Sequence, residues 1–345
     1  MSALAFQLPP ALEAGEPPEA RGIDRDAVKL MVAQRSSGEI SHTSFRDLPA
    51  HLLPGDLLVV NISATIPAAV PARRADGTRV RVHFATRAPR LDDRWRVVEL
   101  RSADGSRPAR GRTGEVISLA GGDAELALVA PYASGPRLMI ARLAGVVSFA
   151  AYLERHGEPI RYRYVSEGWP LPAYQNVYAS TSGSAEMPSA GRPFTYEMIT
   201  AMIPRGVFVA PIVLHTGVSS PERHEPPFPE YYEVPEATAR QVSATRRWGG
   251  RVIAVGTTVV RALETVVRPD GTIGAGAGWT GLVVAPERGL YAVDGLITGW
   301  HEPEASHLQM LAAVAGEELL ERSYRAALEH GYLWHEFGDS HLILP

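Results

Sequence analysis

The chain has 345 residues, 45% of them hydrophobic, enough for two domains and too apolar for a disordered chain. It has no cysteine, which excludes disulfides, thiolate metal sites and cysteine nucleophiles and suits a reducing cytosol. The formal net charge is only −4, no run approaches the roughly 18 apolar residues of a membrane span, and the first residues lack a secretory pattern. A cytoplasmic, monomeric protein without membrane contact is therefore expected.

Residues 1 to about 66 begin Pro-rich and then carry a helix-like stretch near Arg25 to Val32. "PGDLLVVNISATIPA" follows, with a Pro-Gly turn and a strand predicted from Leu57 to Asn61. Between about 70 and 145, "TRVRVHFAT", "RWRVVELR", "GEVISLA", "AELALVAPY" and "PRLMIARL" alternate partially and are separated by turns such as Asp76-Gly77, Asp104-Gly105 and Gly121-Gly122. Short strands at this spacing predict an antiparallel barrel or sandwich. Pro71 to Arg112 holds 12 Arg against 5 acids, +7, whereas Pro170 to Pro345 holds 12 Arg against 19 acids, −7. The basic segment is one way to meet a nucleic-acid phosphate backbone locally, although the chain has a single lysine, Lys29, and its arginine content also fits a GC-rich genome.

Beyond about 160 the period lengthens. "FVAPIVLHTG", "RVIAVGTT" and "LYAVDGLITGW" are apolar strands ending in turns, "HLQMLAAVAGEELLERSYRAALEHG" is helical, and "FGDSHLIL" closes the chain as a strand. The pattern predicts an α/β domain with a mainly parallel sheet and helices, over 1–68 and 158–345, with a β-barrel domain inserted at 69–157. GAGAG at 274–278 lacks the strand before and helix after that a dinucleotide loop needs, so it reads as a flexible connector. The eleven histidines lack metal-binding spacing; His301 and His307, and His330 and His335, do not share a helical face, and no metal is expected.

Three predicted strand ends carry polar groups. They are His215-Thr216-Gly217, Gly256-Thr257-Thr258 with Arg261 and Glu264, and Thr298 to Glu304 with His301. Each alone is usually a cap or a turn; three at one sheet edge suggest a shared pocket. After the strand Val252 to Val255, Gly256 permits a sharp turn and Thr257 and Thr258 offer capping hydroxyls to a helix over Val259 to Val267. Anions are favoured at such a helix start.

"YQNVYA" (174–179), "GSAEMPSAGRPFT" (183–195), "VIAVGTTVVRALE" (252–264), "VDGLITGWHEPEASHLQML" (293–311) and "FGDSHLI" (337–343), with the block from Pro54, resemble successive blocks of the S-adenosylmethionine:tRNA ribosyltransferase-isomerase family of queuosine biosynthesis. The resemblance implies an α/β domain with an inserted barrel. It also implies transfer of the ribosyl part of S-adenosylmethionine, as co-substrate, to 7-aminomethyl-7-deazaguanine in tRNA, releasing adenine and methionine and leaving an epoxy-cyclopentanediol. Some positions depart from the family pattern. Pro193 stands where the family has histidine, Ala64 and Ala69 replace two arginines, the Gly-Thr-Phe after His215-x-Gly217 is gone, and paired histidines before Glu230 are absent. Arg192 or His224 would have to compensate. Two alternatives stay open: a divergent enzyme using S-adenosylmethionine on a non-tRNA acceptor, and a non-catalytic binding protein.

Under this resemblance the Gly256, Thr257 and Thr258 turn is expected to hold an anionic part of S-adenosylmethionine, plausibly the methionine carboxylate, with Arg261 and Thr298 beside it. Arg261 could instead pair with Glu264 at i+3. His215 and His301 are the proton-transfer candidates and Asp339 a second-rank one. Tyr174, Gln175 and Tyr178 are expected to stack on or bond a base, with Ser189, Gly191, Thr195 and Glu230 on the substrate side.

Overall fold

The structure, a computed structural model, describes residues 6–132, 137–165, 167–218, 228–303 and 307–345. Its centre is a nine-stranded sheet. From edge to edge the strands are Gly276–Thr280, Glu230–Val234, Phe208–Leu214, Leu57–Asn61, Val252–Val255, Gly295–Gly299, Ser340–Leu344, Lys29–Gln34 and Ile40–Ser44. The four strands from Phe208–Leu214 to Gly295–Gly299 run parallel, and antiparallel pairs flank them. The sheet is thus mixed around a parallel centre. Leu57–Asn61 and Val252–Val255 are buried at every position, as the middle of a sheet covered on both faces requires.

The second element is a closed six-stranded antiparallel barrel built from Ala69–Arg74, Arg79–Arg87, Trp95–Ser102, Val116–Leu119, Glu125–Pro131 and Leu138–Ala144. Closure removes the sheet edges, and Val82, Val98, Leu100, Ile117, Leu126 and Ala141 fill the interior. Ala69 and Glu158 exchange both backbone hydrogen bonds, 2.9 and 2.8 Å, where the chain enters and leaves this segment. The α/β class with a barrel is borne out.

Four local expectations are corrected. The helix-like stretch from Arg25 to Val32 is a short 3-10 turn, Arg25–Ala27, followed by the strand Lys29–Gln34. Leu30 to Ala33 form a fully buried run whose parallel pairing with Ser340–Leu344 overrides local helix preference. The GAGAG connector contributes an edge strand, Gly276–Thr280, because Glu230–Val234 offers it a free ladder. The long C-terminal helix is two, His307–Ala315 and Glu317–Glu329, broken at Gly316 with φ 81°. The helix after Val255 spans Thr257–Thr265, and Gly256 is its cap without any side-chain capping bond.

Candidate active site

Because the four central strands are parallel, their carboxyl ends lie along one edge. Asn61 to Ser63, His215, Gly256 to Thr258, and Thr298 to His301 all emerge there. Asn61 knits three of these ends. Its side-chain amide donates to the Leu214 carbonyl at 2.8 Å and to Thr258 Oγ1 at 3.3 Å, while its oxygen accepts from the amides of Leu214 and Ser63 at 3.0 and 3.1 Å.

Gly256 has φ 98° and its amide donates to the Ile297 carbonyl at 2.8 Å. A Cβ there would meet the Ala190 methyl and Thr258 Oγ1 at 3.4 Å, an ordinary contact, so it is the backbone angle that favours glycine. The first amides of the helix, at Thr257 and Thr258, have no partner within it, and Gly256 supplies no side chain to cap them. An anion fits that cradle.

His215 stands at the end of a chain of hydroxyls. Its Nδ1 lies 2.7 Å from Ser63 Oγ, which lies 2.6 Å from Ser184 Oγ. The ring rests on Gly183, where a Cβ would come within 2.5 Å of it, and stacks on Tyr231 at 5.7 Å. Arg87, from the barrel, lies over the Tyr231 ring at 5.5 Å. Burial, with the positive charge of Arg87, pushes the His215 imidazole down to about 4, so it is neutral at pH 7. His301 is likewise neutral: burial and the neighbouring histidines hold it well below the ordinary value. Its Nε2 lies 2.9 Å from Thr298 Oγ1 and its ring stacks on His307 at 4.6 Å. Sequence spacing sets His301 and His307 apart on a helix, yet their rings stack where His307 opens the helix His307–Ala315.

Other expected residues are committed elsewhere. Arg261 is not free to hold a ligand charge: its guanidinium is ion-paired with Glu230 and donates to the carbonyls of Thr280 and Leu282 at 3.0 and 3.2 Å. Nor does it pair with Glu264, which receives Arg288 at 2.6 Å and the amides of Tyr291 and Ala292 at 2.8 Å. Glu230 also accepts the Gly217 amide at 2.7 Å, so its oxygens brace the His215–Gly217 turn. Gln175 brackets Thr65 through two hydrogen bonds of 3.0 and 2.7 Å, Tyr174 packs on Phe337, and Tyr178 packs on Phe194 with its hydroxyl against Gly191. Thr195 caps the helix Tyr196–Met202 by accepting from the Met198 amide. Arg192 is tied to Glu19 at 2.8 Å and to the Ala173 carbonyl at 2.9 Å; His224 and Glu304 lie outside the described residues.

Asp339 accepts the amides of Lys29 and Leu333, both at 2.7 Å, and burial raises its carboxyl pKa. It lines a narrow cleft with Ser189, Arg192, Gly299 and His335, which adjoins the main edge through Ala190. Ser63 and Ser184 escaped the sequence reading, because a lone buried hydroxyl carries no periodicity or spacing signal. Among the described residues, no group of three metal-binding side chains is assembled.

With this edge in view, comparison with known proteins decides the family. Residues 1–343 match the model of the queuosine biosynthesis protein family. The chain belongs to that family. Curated family members named S-adenosylmethionine:tRNA ribosyltransferase-isomerase include one from Symbiobacterium thermophilum, 38% identical over 100% of this chain and 99% of its own. Another, from Moorella thermoacetica, is 37% identical over 98% of each chain. A crystal structure of S-adenosylmethionine tRNA ribosyltransferase from Thermotoga maritima aligns with a TM-score of 0.56 and 30% identity over 99% of both chains.

Proposed function

We propose that this chain is an S-adenosylmethionine:tRNA ribosyltransferase-isomerase that transfers the ribosyl part of S-adenosylmethionine to 7-aminomethyl-7-deazaguanine in tRNA, releasing adenine and methionine. The observation that carries this is full-length similarity to relatives of that name in a chain whose four strand ends converge on one polar edge. The same similarity favours tRNA over a small-molecule acceptor.

The Gly256 cradle, with the open amides of Thr257 and Thr258, suits the methionine carboxylate. The sulfonium of the co-substrate acidifies the C–H bonds beside it. His301, neutral and held at Nε2 by Thr298, is the base we assign to that proton; His215 follows Phe208–Leu214 on the same edge, with Leu57–Asn61 and Val252–Val255 between the two. Replacing either histidine by alanine is expected to lower turnover about 100-fold; unchanged rates would remove these assignments. Asp339 and Ser189, in the adjoining cleft, are assigned to ligand positioning.

We take residues 69–157 as the inserted domain and assign it to holding the RNA. Arg73, Arg79, Arg90, Arg107, Arg110 and Arg112 are exposed there and have no acidic partner among the described residues. None of the described helices is long and apolar enough to cross a membrane; we take the enzyme to act in the cytoplasm as a monomer. The test is mass spectrometry of tRNA carrying the aminomethyl base after incubation with S-adenosylmethionine. The reading expects that base to gain the cyclopentanediol; an unmodified base, with both substrates shown to bind, would contradict it.

A further inference from the structure

His215 lies at one end of a buried chain of hydroxyls, and its direction can be derived. Ser63 and Ser184 are both fully buried, so each O–H needs an acceptor within the protein. Ser184 Oγ already accepts the Thr216 amide at 3.1 Å. Among the described residues, the acceptor left for its own hydrogen is Ser63 Oγ, 2.6 Å away. Ser63, receiving that hydrogen, must send its own to His215 Nδ1 at 2.7 Å. The opposite direction would have Nδ1–H donate to Ser63 and Ser63 to Ser184, and would strand the Ser184 hydrogen in a dry site. A stranded buried donor costs about 1–3 kcal/mol.

We infer that Ser184 and Ser63 form a one-way hydrogen-bond relay that holds His215 in the tautomer with Nδ1 as acceptor and Nε2–H as donor. His215 Nε2 has no protein partner among the described residues, so this N–H is available to a ligand at the strand edge. Ser63 and Ser184 are thus positioning residues, and His215 presents a neutral hydrogen-bond donor rather than a lone pair. Such a donor serves an acceptor that gains negative charge, and it leaves proton abstraction to another group. Tyr231 stacks on the ring, and the positive charge of Arg87, which lies over Tyr231, disfavours a second proton on the imidazole. The tautomer stands on geometry alone; its use in turnover rests on the transferase reading above.

The test is a long-range proton–nitrogen NMR spectrum of the full chain labelled with 15N-histidine at pH 7, with His215 assigned by its loss in His215→Gln. The relay predicts Nδ1 at the unprotonated position and Nε2 at the protonated one; the reverse would overturn it whether or not the protein turns over. In Ser63→Ala the single tautomer should give way to an exchanging mixture, and kcat should fall about tenfold at little-changed KM for S-adenosylmethionine. Ser63→Thr, which keeps the hydroxyl, should restore both. A single unaltered tautomer in a folded Ser63→Ala would also refute the relay.

Discussion

The sheet edge and the barrel differ in the polar groups they carry. The edge is rich in hydroxyls, neutral imidazoles and a glycine turn, and the arginine–glutamate pair there, Arg261 with Glu230, is closed on itself. The barrel carries exposed arginines around an apolar interior and offers no comparable hydroxyl–imidazole chain among the described residues. Buried groups that position a reacting ligand must be neutral or paired, since an unpaired charge there is costly. Groups that hold a polyanion must stay in water and remain free. The two regions meet where Arg87 covers Tyr231 and where Phe228 and the Ala85 carbonyl crowd Gly217.

If the contrast is right, damage to each region has its own signature. The largest effect is expected from Glu230→Ala, which leaves the Arg261 guanidinium buried without its counter-charge. Stability should fall by about 3–5 kcal/mol, read from urea midpoints. Next, Gly256→Val forces a β-branched side chain into φ 98° and against Ala190 and Thr258. It should reduce kcat/KM for S-adenosylmethionine about 100-fold while tRNA affinity, measured by filter binding, stays within twofold.

The converse variant is Arg73→Ala/Arg79→Ala/Arg107→Ala. Arg73 and Arg79 face each other across a hairpin, and Arg107 bonds Ser102, which pairs with Val80, so the three share one barrel end. Along the strand, that end lies about 26 Å from Arg87. RNA affinity should drop about tenfold and the slope of log affinity against log salt should shrink by about 2–3, with kcat at saturating RNA unchanged. An unaltered slope would place the RNA elsewhere.

The smallest effect per group comes from pH. Burial pushes His215, His307 and His335 down to about 4 and His341 to about 3, whereas each would titrate near 6.5 unfolded. The unfolded state therefore binds more protons below pH 6.5, and stability falls as pH falls. The expected loss is about 1 kcal/mol per histidine between pH 6.5 and 5.5, continuing toward pH 4. Stability that stays flat over that range would show that these rings are not neutral in the fold.

How much the sequence revealed follows from the range of each interaction. The strand–Gly256–helix unit is legible because four apolar residues, a glycine and a helix-forming stretch are adjacent. Five barrel strands are legible from alternation and turn residues. The sixth, Ala69–Arg74, is obscured by Pro71 and by the two arginines at its end. The Ser184–Ser63–His215 chain joins residues 121 and 152 positions apart, and nothing local marks it. Arg261 shows the same limit: Glu264 is near in sequence, but its side chain turns to Arg288, and the true partner lies 31 residues away. The missing family histidine at Pro193 also reads differently in three dimensions. Its neighbour Arg192 is locked to Glu19, so it does not substitute for an imidazole.

The most direct test of the account is to quantify adenine and methionine released from S-adenosylmethionine, with and without tRNA bearing the aminomethyl base. Stoichiometric release of both is expected, dependent on the tRNA and lost in Gly256→Val. Release at the same rate without tRNA, or none with it, would contradict it.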